Sequence, residues 1–287
     1  MEKFKLELLF QLVGIGASSG LLYHDFHLFL ISDSSSFLYR YSLNGKELTK
    51  IKLHGNSAEN NLKLVKPDLE AICKVDNTLY TFGSGSTAKR KTAFTFNLLS
   101  QQTSQLDLSI LFENVTTKTG IDAENINIEG VIPVGNDWLF FQRGNGIRAQ
   151  NGIIRLTGNL ENPSEITFIP IELPSINNVS ATFTDAVLVA ETIYFLAAAE
   201  DSNSTYADGE VMGSLVGAMN LSDFKILFTQ PISEMHKFEG ITLYEETETE
   251  LRFLLCEDQD NESQLAEIFL LTIKKTTRQG AVFLRLR

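Results

Sequence analysis

One short pattern recurs along the chain and constrains its fold more than any other feature. An oxygen-bearing residue is followed by glycine or alanine and then by an aliphatic residue. The set is Ser19-Gly20-Leu21, Glu70-Ala71-Ile72, Glu129-Gly130-Val131, Asp185-Ala186-Val187 and Glu239-Gly240-Ile241. The separations between these positions are 51, 59, 56 and 54 residues, and each leaves room for four short strands. The intervening stretches read as strands: HLFLIS, FLYRYSL, TLYTFG, TAFTFNL, WLFFQ and ITFIPIEL are short, aromatic or β-branched, and bounded by turn residues. Asn44-Gly45 marks a hairpin turn. No long amphipathic helix stands out. Four-strand modules repeating at this period predict propeller blades.

The expectation is therefore an all-β, single-domain chain over 1–287, a five-bladed β-propeller of four-stranded antiparallel blades. The blades fall at about 19–53, 70–112, 129–173, 185–232 and 239–275. The fifth unit shows three clear strands. The N-terminal strand KFKLELLFQ, over 3–11, is the expected outer strand that closes the ring, but the tail AVFLRLR competes for that place and the sequence does not decide between them.

In a propeller the first strand of each blade is innermost, so a residue in register in every blade faces the central channel. That ring would hold Ser19, Glu70, Glu129, Asp185 and Glu239. At the fourth position Thr184 fits if the turn to the next strand has constant length, and Ser180 is a further candidate. Converging carboxylates repel, and each loses hydration. A hard dication with six to eight oxygen ligands offsets this, and Ca²⁺ suits such a donor set better than Mg²⁺. His24, His27, His54 and His236 are scattered and give no zinc set. The alternative is that the acids cap strands around a wet channel.

The loops joining second and third strands share the face of this ring. They place Lys89, Arg90, Lys91, Arg143 and Arg148 on one side, and Asp33, Glu200, Asp201, Glu257 and Asp258 on the other. Asp33, Lys89, Arg90 and Arg143 are the candidate contacts for a small anionic ligand such as a phosphate. The net charge of −12 without a basic run argues against nucleic acid. No apolar run is long enough to span a membrane. Glu2 and Glu7 do not suit a signal peptide, so a cytoplasmic monomer is expected. Cys73 and Cys256 lie within strand patterns and read as buried free thiols. No nucleophile motif of the GxSxG kind occurs.

The stretches KFEGITL, PDLEAICKVDNTLY and WLFFQRGNG resemble those of the soluble calcium-activated nucleotidases, or apyrases. That resemblance implies a five-bladed propeller whose axial calcium is held by one residue per blade, here Ser19, Glu70, Glu129, a fourth residue and Glu239. It also sets Arg143 on a family arginine. The chain departs from the family in the first-blade loop, where SDSSS keeps only Asp33, and at Gly144, where the family has a second arginine. The chain is also similar to bacterial phytase-like and esterase-like propellers. Two functions follow. One is a binding or scaffold propeller with a structural calcium. The other is a metal-assisted hydrolase of a phosphorylated small molecule, and whether the chain is an enzyme stays open between them.

Overall fold

The computed structural model describes residues 4–275, apart from 56–57, 60, 62–65, 145–147, 202–208 and 258–263. The chain opens with β1 (Phe4–Val13). The first blade then follows as β2 (Ser18–His24), β3 (His27–Ser32), β4 (Phe37–Ser42) and β5 (Glu47–Lys52). The second is β6 (Leu69–Val75), β7 (Thr78–Gly83), β8 (Thr92–Asn97) and β9 (Thr103–Asp107). The third is β10 (Ile128–Val134), β11 (Asp137–Gln142), β12 (Gly152–Thr157) and β13 (Glu165–Pro170). A two-residue strand, β14 (Ser175–Ile176), precedes the fourth blade of β15 (Val179–Val189), β16 (Thr192–Asp201), β17 (Glu210–Asn220) and β18 (Ile226–Ser233). The last comprises β19 (Phe238–Glu246), β20 (Glu250–Glu257) and β21 (Leu265–Lys274). All pairings are antiparallel, and the sheets form a five-bladed propeller.

The fifth sheet runs β1-β21-β20-β19, so the N-terminal strand is its outer member and closes the ring. Phe4 lies opposite Ile273, and Val13 lies opposite Leu265. The competing tail, 281–287, lies outside the described residues.

Five apolar clusters fill the five blade-to-blade interfaces. Between the second and third blades, for example, Phe82 packs with Phe140 and Trp138. Between the third and fourth, Phe183 meets Phe141 and Phe195 edge to face at 5.2 Å. Each buried phenylalanine contributes about 1.5–3 kcal/mol through surface removed from water. Neither cysteine forms a disulfide, and both are buried.

One element departs from the sequence reading. The second blade ends at Asp107, and α1 (Ser109–Thr119) follows where a strand end and a connection were expected. Leu111, Phe112 and Val115 repeat at helical spacing and bury against the cluster below. Gly120 ends the helix at φ 72°, and its N–H bonds to the Thr116 carbonyl.

The recurring pattern has a local cause. Every innermost strand carries a one-residue bulge near its start. The register skips from Ser18 to Gly20, Leu69 to Ala71, Ile128 to Gly130, Phe183 to Asp185 and Phe238 to Gly240. The skipped residues are Ser19, Glu70, Glu129, Thr184 and Glu239, and a bulge turns its extra residue away from the ladder. In four blades the residue after the bulge is glycine or alanine, and at Gly240 this is required because the inner strands of neighbouring blades approach closely there. A Cβ on Gly240 would lie 2.9 Å from the Leu21 backbone nitrogen and 2.7 Å from Cys256 Sγ.

Candidate functional site

The bulges bring Ser19, Glu70, Glu129, Thr184 and Glu239 to one end of the channel. The fourth member is Thr184. Asp185, expected there from the sequence, lies one residue further along the strand, in register with Gly20, Ala71, Gly130 and Gly240. Asp185 is buried, and its oxygens accept from the backbone N–H of Ala186 at 2.7 Å and of Ile241 at 2.8 Å. Burial pushes its carboxyl well above the usual range. It ties the fourth blade to the fifth in the space its glycine counterparts leave open. Ser180 pairs with Ser175 in the β14–β15 hairpin, ahead of the bulge.

Ser19 and Thr184 share one role. The Ser19 hydroxyl donates to the Leu69 carbonyl, and the Thr184 hydroxyl donates to the Phe238 carbonyl at 2.6 Å. Each acceptor immediately precedes a ring glutamate. The hydroxyls thus position the strands that carry Glu70 and Glu239.

The acids and bases divide into two linked groups. Arg143 is only 4% exposed and joins three carboxylates: Glu200 at 2.6 Å, Glu129 at 3.2 Å and Glu239 at 3.9 Å. Lys237 bridges Glu239 at 3.0 Å and Glu200 at 3.4 Å. Asn127 donates to Glu129 at 2.7 Å. In the other group Lys66 bonds Asp33 and lies 2.9 Å from Asp68. Arg90, also buried, bonds Asp68 at 2.7 Å. Ser84 donates to Asp68 at 2.6 Å.

This geometry corrects the expectation of a face basic on one side and acidic on the other. Opposite charges interleave instead. The guanidiniums of Arg143 and Arg90 are buried in internal ion pairs rather than presented to an anion. Lys89 is exposed and lines a groove with His54 and Lys91, apart from the Arg143 network. Glu200 and Asp201 end strand β16 rather than lying in a loop. Arg148 pairs on the surface with Asp122 at 3.1 Å. Asp258 lies outside the described residues.

Glu70 differs from its neighbours. Its carboxylate accepts no hydrogen bond and joins no ion pair among the described residues. Burial pushes it well above the carboxylate range, and repulsion from Asp68, Glu129, Glu239 and Asp33 adds to this. Glu239 is pushed up to about 7 by burial, with Lys237 opposing and Glu129 adding to the rise. Glu129 is raised by burial against the pull of Arg143 and Lys237. For Glu200 burial acts upward, but Arg143 and Lys237 prevail and hold it low.

These groups comprise six carboxylates (Asp33, Asp68, Glu70, Glu129, Glu200, Glu239) and four cations (Lys66, Arg90, Arg143, Lys237). Fully ionised, these described residues leave two negative charges, the complement of one dication. One oxygen each from Asp33, Asp68 and Glu70 lies within 4.8 Å of the others. Ligands at ~2.3–2.6 Å from a shared Ca²⁺ have that mutual reach. The second oxygen of Asp33, Oδ1, is buried without a partner. The donors and the orphaned oxygen fit a hard cation on the side of the first two blades. Glu129 and Glu239 are engaged by Arg143 and Lys237 and Asp68 by Lys66 and Arg90, so an ion here would share Asp68 with its cations and take Glu70 and Asp33 Oδ1 as its free donors. Asp68, Lys66 and Lys237 were not singled out from the sequence. Lys237 is the first residue of the quoted KFEG stretch, and Asp68 lies two residues before Glu70.

Residues 14–273 match the model of a family described as a family of unknown function, DUF6929. None of the curated proteins matches the chain by sequence. Among solved structures, a glutaminyl cyclase of Myxococcus xanthus is similar at TM-score 0.52 and 10% identity, covering 94% of this chain and 97% of that one. An exo-1,5-α-L-arabinanase from a bovine ruminal metagenomic library is similar at TM-score 0.51 and 9% identity, covering 92% and 98%. At such identities the likeness shows the propeller fold alone. The motif resemblance to nucleotidases and phytases gains no support from these comparisons.

Proposed function

The chain belongs to the DUF6929 family, and we propose that it is a cation-binding propeller in which one divalent ion, calcium by its donor set, fastens the first two blades at the channel mouth. Asp33, Asp68 and Glu70 would hold the ion, with water completing its shell. The bound ion supplies two positive charges and an anchor between blades. The observation that carries this reading is Glu70, a carboxylate with no donor among the described residues, crowded by four other acids. A binding or scaffold role is favoured over hydrolysis of a phosphorylated molecule because Arg90 and Arg143 are already engaged by carboxylates.

Thermal melts of the wild type and Glu70→Gln, in chelator and then in Ca²⁺ or Mg²⁺, test the reading. A ligand at a hundredfold excess over Kd stabilises the folded state by ~2.7 kcal/mol. For a chain of this length that is a rise of about 4–5 °C in Tm. The wild type should show a calcium-specific rise, and Glu70→Gln should lose most of it. Identical wild-type melts in chelator and calcium would remove the cation from the account.

A further inference from the structure

A second cavity lies between the second and third blades, at the opposite end of their inner strands from the carboxylates. Its volume is about 740 Å³, and the hairpin turns at Gly135-Asn136 and Gly158-Asn159 border it. The floor is apolar, made by Val75, Leu106, Leu160 and Trp138. Tyr80 stands half-buried against Trp138, ring centroids 5.4 Å apart and edge to face.

The polar groups of this cavity are uncharged with one exception. Tyr80, Thr95, Ser104 and Asn136 line it, and their side chains make no hydrogen bond among the described residues. Glu161 is the single ionisable carboxylate, exposed at the rim. Among the described residues no lysine, arginine or histidine lines the space. An anion would find no countercharge and one repelling group. An organic cation would gain little from exposed carboxylates in water, here Glu161 at the rim and Asp76, which is near enough to act on Tyr80. A ligand with an apolar face and a rim of neutral hydroxyls meets both parts: its C–H face rests on Tyr80 and the floor, and its hydroxyls pair with the four free side chains. We propose that this cavity binds a neutral saccharide, independently of the cation at the other end of the channel.

Trp138 is the sole tryptophan, so its fluorescence reports on this cavity alone. The wild type is titrated with maltose and cellobiose up to about 50 mM, enough to reveal a millimolar Kd. Glucose 6-phosphate and choline serve as the anionic and cationic comparisons. Tyr80→Phe keeps the ring packing and removes the hydroxyl. Asn136→Ala alters an exposed turn. Saturable quenching by at least one disaccharide is expected, weakened about threefold to tenfold by each variant, the weight of one neutral hydrogen bond. Near-UV circular dichroism of both variants should match the wild type. No saturable change with either disaccharide, unchanged affinity in both variants, or tighter binding of choline or glucose 6-phosphate would overturn the assignment.

Discussion

Arg143→Met removes the cation around which half of the channel mouth is organised. The guanidinium touches Glu129, Glu200 and Glu239, all buried. Lys237 remains for Glu200 and Glu239, but Glu129 keeps only Asn127. Removing one partner of a buried ion pair costs ~3–5 kcal/mol, because the orphaned charge stays desolvated. With an unfolding entropy of ~2.1 cal/mol/K per residue, that is a fall in Tm of about 5–8 °C at neutral pH. The penalty depends on charge, so it should shrink on acidification. Burial has already raised Glu129, and loss of Arg143 raises it further. A carboxyl raised in the folded state has its full stability below the unfolded pKa and loses it as pH rises through the folded pKa. The deficit should therefore be small near pH 4.5 and grow towards neutrality. Calorimetric melts of both proteins across that range give the comparison. A deficit of the same size at every pH would mean that Arg143 acts by packing. No deficit at all would mean that its ion pairs contribute nothing, and the guanidinium would again be available to an anion.

Two further outcomes follow from the same geometry. Thr184→Val leaves the Phe238 carbonyl without its donor and should lower stability by about 1–3 kcal/mol in denaturant melts, whereas Thr184→Ser should retain most of it. In chelator, wild-type stability should fall as pH rises from about 4.5 through about 7, because Glu239 is raised to about 7 in the folded protein. Its contribution is at most roughly 3 kcal/mol, and melts in saturating calcium should show a flatter profile.

The propeller was legible because the bulge makes a local demand that repeats. Every inner strand carries the extra residue, and in four of the five its successor is glycine or alanine, so the pattern recurs whatever the rest of the blade contains. The alternation of apolar and charged residues marks β1 as a strand, but the sequence leaves it and the tail AVFLRLR as rivals for closing the ring. The fourth ring position turned on one residue. Ser19, Glu70, Glu129 and Thr184 each stand eight residues before the first residue of the next strand, and Asp185 stands seven before it. That constant spacing was the usable signal, and the acidity of Asp185 pointed away from it. The helix was hidden by threonines, which favour strands as readily as helices. The ion pairs were out of reach for another reason. Arg143 and Glu200 are far apart in the chain, and only packing of the third blade against the fourth brings them to 2.6 Å. Basic residues on loops read as ligand contacts until the acids that bury them are placed beside them.

The central claim is that two unbalanced negative charges at the channel mouth hold one dication. Calorimetric titration of chelator-stripped protein with Ca²⁺ tests it most directly, repeated in two buffers of different ionisation enthalpy. The account predicts one ion per chain with proton release on binding, since the cation favours the ionised form of Glu70, whose pKa burial and repulsion raise. A flat titration would contradict it, as would binding of equal strength in Glu70→Gln.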